Sequence, residues 1–267
     1  MNVPRLTGWL EHAGERIYYE VAGSEGAPWL ILCHGAGGNH AVWHHQVARF
    51  CGTYRVLAWD QRGFGRSTNR EGAASPQAAA ADLAALVTGL GIRRAHVVGQ
   101  SMGGWAAMGF CVAHPDVAMS LTLADTLGGI PVAAWAAGRL SPRPVDAVVG
   151  DHPALGARFC REHPAQALLY QQLGDWGVPS NERAGAVTGL FTTSFGPEEL
   201  ARVRCPVLFV VGGEDEIFPP AWIAEAAGHL PQATVEEIPG AGHSPYFEVP
   251  EQWNAAVGRH LEASSLA

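Results

Sequence analysis

Residues 99–103, Gly-Gln-Ser-Met-Gly, enclose one small hydroxyl in glycines directly after the apolar run at 95–98. A serine hydroxyl is a weak nucleophile until a neutral imidazole takes its proton and a carboxylate on the other ring nitrogen holds that imidazole in one tautomer. Both partners occur further along the chain. Asp215 lies in GGEDEIFPP (212–220), 215 − 101 = 114 residues after Ser101, and His243 lies in the glycine-rich GAGHSPYFEVP (240–250). The order is Ser, Asp, His, and the chemistry this set could perform is acyl transfer. Two other carboxylates compete for the orienting role: Glu214, one position earlier, and Asp125, which also ends an apolar run. A tetrahedral intermediate also needs two fixed N–H donors for its oxyanion. Met102, next after the serine, and Ala36, in CHGAGGN (33–39), could supply them.

Such residues act together only if the elements before them end at one edge. Continuous apolar runs at 29–33, 54–59, 95–98, 118–124 and 206–211 have the pattern of strands covered on both faces. Residues 15–23 pair naturally with 7–14 as a hairpin. Helical stretches separate the runs. One is 75–91, with Ser75 as N-cap and Pro76 at the first helical position, and another follows Ser101 and is stopped by Pro115. Strand and helix alternate as βαβ units do, so a mostly parallel sheet is expected, with a strand–turn–helix at Ser101 matching the Gly-x-Ser-x-Gly nucleophile elbow. From 127 to 200 the rhythm breaks into Pro/Gly-separated, helix-compatible pieces. This segment is expected to be a helical insertion between core parts 1–126 and 201–267.

With HGAGG (34–38), DQRGFGRS (60–67), GQSMGG (99–104), GGEDEIFPP and GAGHSPYFEVP in this order, the chain resembles the serine-nucleophile branch of the α/β-hydrolase superfamily. The resemblance implies an α/β fold: a mostly parallel eight-stranded sheet flanked by helices, with a helical cap inserted after strand 6. It implies Ser101 as nucleophile, His243 as acid/base, Asp215 as orienting acid, Ala36 and Met102 as oxyanion hole, and no cofactor or metal. Carboxylesterases and lactonases are the relatives most resembled. Meta-cleavage product hydrolases are near relatives but usually carry tryptophan after the catalytic histidine, where this chain has Ser244. The expected activity is hydrolysis of a small, apolar ester or lactone. Alternatives from other classes are a hydrolase-fold ligand receptor and a perhydrolase or cofactor-free oxygenase.

Composition narrows the partners. Seventeen Lys and Arg against 25 Asp and Glu give a formal net charge of −8, without a basic run, which disfavours nucleic acid and anionic membranes as partners. The N-terminal residues lack a charged-then-apolar leader pattern, and five scattered cysteines lack a Cys-x-x-Cys pair, so a reduced, cytoplasmic protein is expected. His40, His44 and His45 lack carboxylates at metal-ligand spacing, and Arg62 and Arg66 are expected to shape the sheet edge. Trp105, Trp135, Phe159, Phe218 and Tyr246 could line an apolar pocket or simply pack a core. Nothing in the sequence gives the oligomeric state.

Overall fold

The computed structural model describes residues 3–136, 138, 148–176 and 186–266. Its strands are β1 (Arg5–His12), β2 (Glu15–Ala22), β3 (Trp29–Cys33), β4 (Arg55–Trp59), β5 (Ala95–Gln100), β6 (Ala118–Ala124), β7 (Val207–Gly212) and β8 (Ala233–Ile238). They form one sheet in the order β1-β2-β4-β3-β5-β6-β7-β8. β2 runs antiparallel to both its neighbours, and the other pairings are parallel. This is the expected mostly parallel eight-stranded sheet, with its hairpin at one edge.

The helices are α1 (His44–Phe50), α2 (Pro76–Gly89), α3 (Met102–Ala113), α4 (Ala133–Ala136), α5 (Ala157–Glu162), α6 (Pro164–Asp175), α7 (Pro197–Leu200), α8 (Pro220–Ala227), α9 (Pro245–Glu248) and α10 (Pro250–Ser265). α2 begins as its sequence requires: the Ser75 hydroxyl accepts the Ala78 N–H at 3.1 Å and Pro76 follows. Successive residues of the central strands serve opposite faces. Ile31, Leu57, Val97, Leu121 and Phe209 join Leu83, Met108 and Ile223 in one core layer. Leu30, Val56, Val98 and Val210 join Phe50, Trp253, Val257 and Leu261 in the other. Burial on both faces explains why these strands are continuously apolar rather than alternating.

Strand order reverses between β3 and β5, so a crevice opens beyond their C-terminal ends. The chain leaves β3 toward Ala36 and leaves β5 toward Ser101. Between β6 and β7 the described residues carry helices α4 to α7 and a 3-10 turn (Gly189–Phe191), with no strand among them. No helix of the described residues is long and apolar enough to cross a membrane.

Candidate active site

Ser101 sits between β5 and α3 with φ 49° and ψ −123°, a left-handed conformation that costs free energy for a residue with a Cβ. Glycines make the turn possible. A Cβ on Gly103 would collide with the carbonyls of Cys33 and His34, one on Gly104 with the Thr126 side chain, and one on Gly99 with the first turn of α3. Helix and strand therefore approach closely enough for Thr126 Oγ1 to donate to the Ser101 carbonyl at 2.7 Å. That bond fixes the strained turn from the neighbouring strand's exit.

The half-buried Ser101 hydroxyl faces His243, with Oγ 2.9 Å from Nε2. His243 Nδ1 is 2.9 Å from Asp215 Oδ2, and both partners are buried. Asp215 Oδ1 accepts the N–H groups of Ile217 at 2.8 Å and Phe218 at 3.0 Å, which pins the carboxylate at the exit of β7. A carboxylate acceptor at Nδ1 requires the proton on that nitrogen, leaving Nε2 free to accept from the serine. The structure thus joins Ser101, His243 and Asp215 in one hydrogen-bonded row. Glu214, the rival beside Asp215, is exposed, and the acceptor at His243 Nδ1 is Asp215.

The His243 loop is held from three sides. Gln100 Nε2 donates to the His243 carbonyl at 3.0 Å. Glu248, on α9, accepts from the N–H groups flanking the histidine, Gly242 at 3.0 Å and Ser244 at 3.2 Å, and from Gly156 at 3.1 Å, the residue that starts α5. Burial pushes the Glu248 carboxyl above its ordinary value against the pull of those three donors. Tyr170 on α6 reaches Ser244, with its hydroxyl 2.9 Å from Oγ. Sequence reasoning missed Glu248 and Tyr170. A lone acid five residues after the histidine, in an otherwise apolar stretch, was the signal available for the first.

The loop after β3 lies against the elbow, since a Cβ on Gly35 would meet Gln100 and the Ser101 Cβ. His34 anchors it: Nε2 accepts the Gln61 N–H at 3.0 Å, so Nδ1 carries the proton it donates to the Gly35 carbonyl at 2.8 Å. The next residue, Ala36, is exposed, and Met102 begins α3, where the first N–H groups lack intrahelical partners. A cavity of about 490 Å³ opens beside Ala36, Gly37 and Gly38, bounded on the other side by His152, Leu168 and Tyr170. A larger groove of about 870 Å³ runs between α2 and α3, bordered by Trp105 and Phe195, and none of Ser101, Asp215 or His243 lines either cavity.

Three aromatic rings gather beside the row. Phe218 lies 5.7 Å from the His243 ring, and Trp105 and Trp135 lie 6.1 and 5.5 Å from Phe218. Tyr246 instead packs in the core against Trp43 at 4.7 Å, and Phe159 meets Phe247. Arg62 pairs with buried Asp82 through Nε at 2.9 Å and Nη2 at 2.6 Å, and Arg66 stacks over Tyr18, which are framework roles. His40 has carboxylate neighbours that its sequence spacing concealed: Asp60 at 2.8 Å and Glu20 at 3.4 Å, both brought by the sheet. One carboxylate oxygen each of Asp125 and Asp215 and a ring nitrogen of His243 lie within 4.8 Å of one another. Both His243 nitrogens are committed to Asp215 and Ser101, and both Asp215 oxygens accept hydrogen bonds. That donor set suits proton handling better than a cation.

The sequence matches the family described as the alpha/beta hydrolase family over residues 30–256. The chain belongs to the α/β-hydrolase family. It is 32% identical over 240 residues, 85% of this chain and 91% of the relative, to BpoC of Mycobacterium tuberculosis, named as a candidate non-heme bromoperoxidase. A thermophilic esterase from Thermogutta terrifontis superposes with a TM-score of 0.81 at 29% identity, covering 98% of this chain and 99% of the other. Est816, described as an N-acyl homoserine lactone degrading enzyme, gives 0.78 at 26% identity over 94% of this chain and 98% of its own.

Proposed function

We propose that this α/β hydrolase is a serine enzyme that cleaves a small carboxylic ester or lactone through an acyl-enzyme intermediate. The observation that carries the reading is the row Ser101–His243–Asp215, with each link at 2.9 Å and the serine on a strained elbow. Similarity to an esterase and to a lactone-degrading enzyme supports the bond class.

In this reading His243 Nε2 accepts the Ser101 proton as Oγ attacks the substrate carbonyl. The imidazolium is steadied by Asp215, and the oxyanion is met by the N–H groups of Ala36 and Met102. Collapse releases the alcohol, protonated by His243, and leaves an acyl group on Ser101. Water, deprotonated by the same imidazole, then frees the acid. In a lactone the leaving oxygen stays tethered, and the product is one hydroxy acid. We assign residues 127–200 to a cap over this site and expect specificity to reside there. The cavity of about 490 Å³ beside Ala36 favours a small substrate, and a cytoplasmic location fits the reduced cysteines.

The test is rapid mixing of wild type and Ser101→Ala with p-nitrophenyl acetate, butyrate and octanoate. A stoichiometric nitrophenol burst in wild type alone is expected, with turnover of the variant lowered by at least about 10³-fold. A folded Ser101→Ala protein that keeps the burst would sink the mechanism. Similarity to BpoC favours one second reading, in which hydrogen peroxide replaces water at the acyl-enzyme and releases a peracid. Peracid formed from acetate ester and peroxide, lost in Ser101→Ala, would establish it.

A further inference from the structure

Behind Asp215 stands a second carboxyl that the row Ser101–His243–Asp215 does not use. Asp125 closes β6 with φ 48° and no solvent exposure at all, a costly backbone and a costly burial for an acid. Its Oδ1 accepts the Gly212 N–H at 2.8 Å, where β7 ends. Its Oδ2 is buried without any N–H or O–H donor, and one carboxylate oxygen of Asp125 lies within 4.8 Å of one of Asp215 and of a ring nitrogen of His243. An ionised carboxylate oxygen in that position would be a buried acceptor with no donor, facing a second negative charge.

The donor count decides which acid holds a proton. Asp215 receives three hydrogen bonds, from the N–H groups of Ile217 and Phe218 and from His243 Nδ1, and all three favour its charged form. Asp125 receives one. We infer that Asp125 is protonated and donates its Oδ2–H to Asp215, so that the two facing carboxyls share one negative charge and keep it on the residue that orients His243. The orphaned oxygen then becomes a satisfied donor, and the strained backbone of Asp125 is what aims it. Burial first, and the Asp215 charge second, push the Asp125 carboxyl well above the usual carboxylate range, in agreement with this assignment. The other titratable groups around the pair are Glu248 on α9, Tyr170 on α6 and Tyr246, besides His243 itself.

Asp125 is thus a positioning residue, acting on the histidine through Asp215. Its hydrogen bond lowers the basicity of Asp215 and holds that carboxylate against rotation. The same pair offers a reserve: without the Asp215 charge, Asp125 can ionise and serve His243 as counter-charge. Only the kinetic part of the test rests on the proposed acyl-enzyme function.

Infrared difference spectra of wild type minus Asp125→Asn at pH 7.5 are expected to contain a protonated-carboxyl C=O band. Wild type and variant both retain Glu248, so that residue cancels. Absence of the band in folded protein overturns the inference whatever the activity. In steady-state assays with p-nitrophenyl butyrate, Asp125→Asn supplies an N–H donor in place of the O–H and is expected to lower kcat/KM by less than about tenfold, whereas Asp125→Leu lowers it by about 10²-fold. Asp125→Leu is also expected to move the acid limb of the kcat/KM profile to higher pH, because an unrelieved Asp215 makes His243 more basic. Equal losses with an unmoved profile in both variants would reduce Asp125 to packing. Should Asp125→Leu fail to fold, Asp215→Asn with and without Asp125→Asn replaces it. The second change is expected to cost at least about tenfold more in the Asp215→Asn background than alone, and additivity would overturn the inference.

Discussion

At Gly103 an added Cβ would strike the carbonyls of Cys33 and His34, backbone atoms at the end of β3 that cannot swing aside. Gly103→Ala is therefore expected to force α3 away from the sheet, destabilise the protein by about 1–3 kcal/mol and displace Ser101. Chemical denaturation would measure the first effect and burst amplitude the second; a variant with unchanged midpoint and burst would refute the close-approach argument. The glycines around Ser101 were legible because a strained turn leaves a local pattern. Asp215 and His243 were legible as residues at strand exits, which the parallel sheet brings to one edge, where His243 lies 2.9 Å from each of Asp215 and Ser101. What the sequence left open was Asp125 against Asp215. Both end apolar runs, and only the structure places one against His243 and the other behind it. The difference lies in the local donors: the loop after β7 turns the N–H groups of Ile217 and Phe218 back onto Asp215. A pattern of residue types cannot reveal where backbone N–H groups point.

At the scale of elements, one polar side chain ties α9 to the start of α5, beside the Phe159–Phe247 ring contact. Glu248 holds the loop carrying His243 and Gly156, the N-cap residue of α5, at once, so its loss leaves three buried N–H groups without an acceptor. Glu248→Ala is expected to cost about 3 kcal/mol or more, from one to three for each stranded group, and to lower kcat more than it raises KM. Tyr170→Phe removes a hydroxyl that bonds Ser244 and also meets the Tyr246 side chain, strands none of those backbone N–H groups, and is expected to cost about 1 kcal/mol. Differential scanning fluorimetry on the pair checks the ranking, and equal losses would contradict the three-donor account. The hairpin and helices α2 and α3 were legible because periodicity and capping act within each stretch. Element α9 was not, since its four residues are shorter than the pattern needed to recognise a helix. The 3-10 turn His40–Trp43 hid for the same reason: it merges with α1 in sequence and is distinguished by the Asn39 side chain, which accepts the Ala41 N–H.

Across the whole molecule, three ionisable groups outside the Ser101–His243–Asp215 row, two half-buried and one buried, set opposing pH limbs. Burial would lower His40, but its hydrogen bonds to Asp60 and Glu20 and their charges outweigh it and raise the imidazole to about 9. A histidine raised on folding contributes stability that is complete below its unfolded value near 6.5 and is lost as pH climbs through about 9. Glu20 behaves oppositely. Burial would raise it, yet hydrogen bonds from His40, Arg5 and Tyr18 hold it at about 2, so its contribution is present above about 4.5 and is lost as pH falls toward 2. His96, on β5, reaches the Ser120 hydroxyl of β6 at 2.8 Å, and burial, aided by the charges of His260 and Arg94, lowers it to about 4. A lowered histidine is neutral when folded and takes a proton when unfolded, so between about 6.5 and 4 it too removes stability as pH falls. The melting temperature is therefore expected to peak near pH 6.5 and to decline on both sides. His40→Gln should flatten the decline between 6.5 and 9 while leaving the slope from 6.5 to 4 in place, and His96→Gln should do the reverse. If His40→Gln instead leaves the alkaline slope untouched, the His40–Asp60–Glu20 cluster does not carry it, and the junction of β2 with β4 is held by its ladder hydrogen bonds and packing.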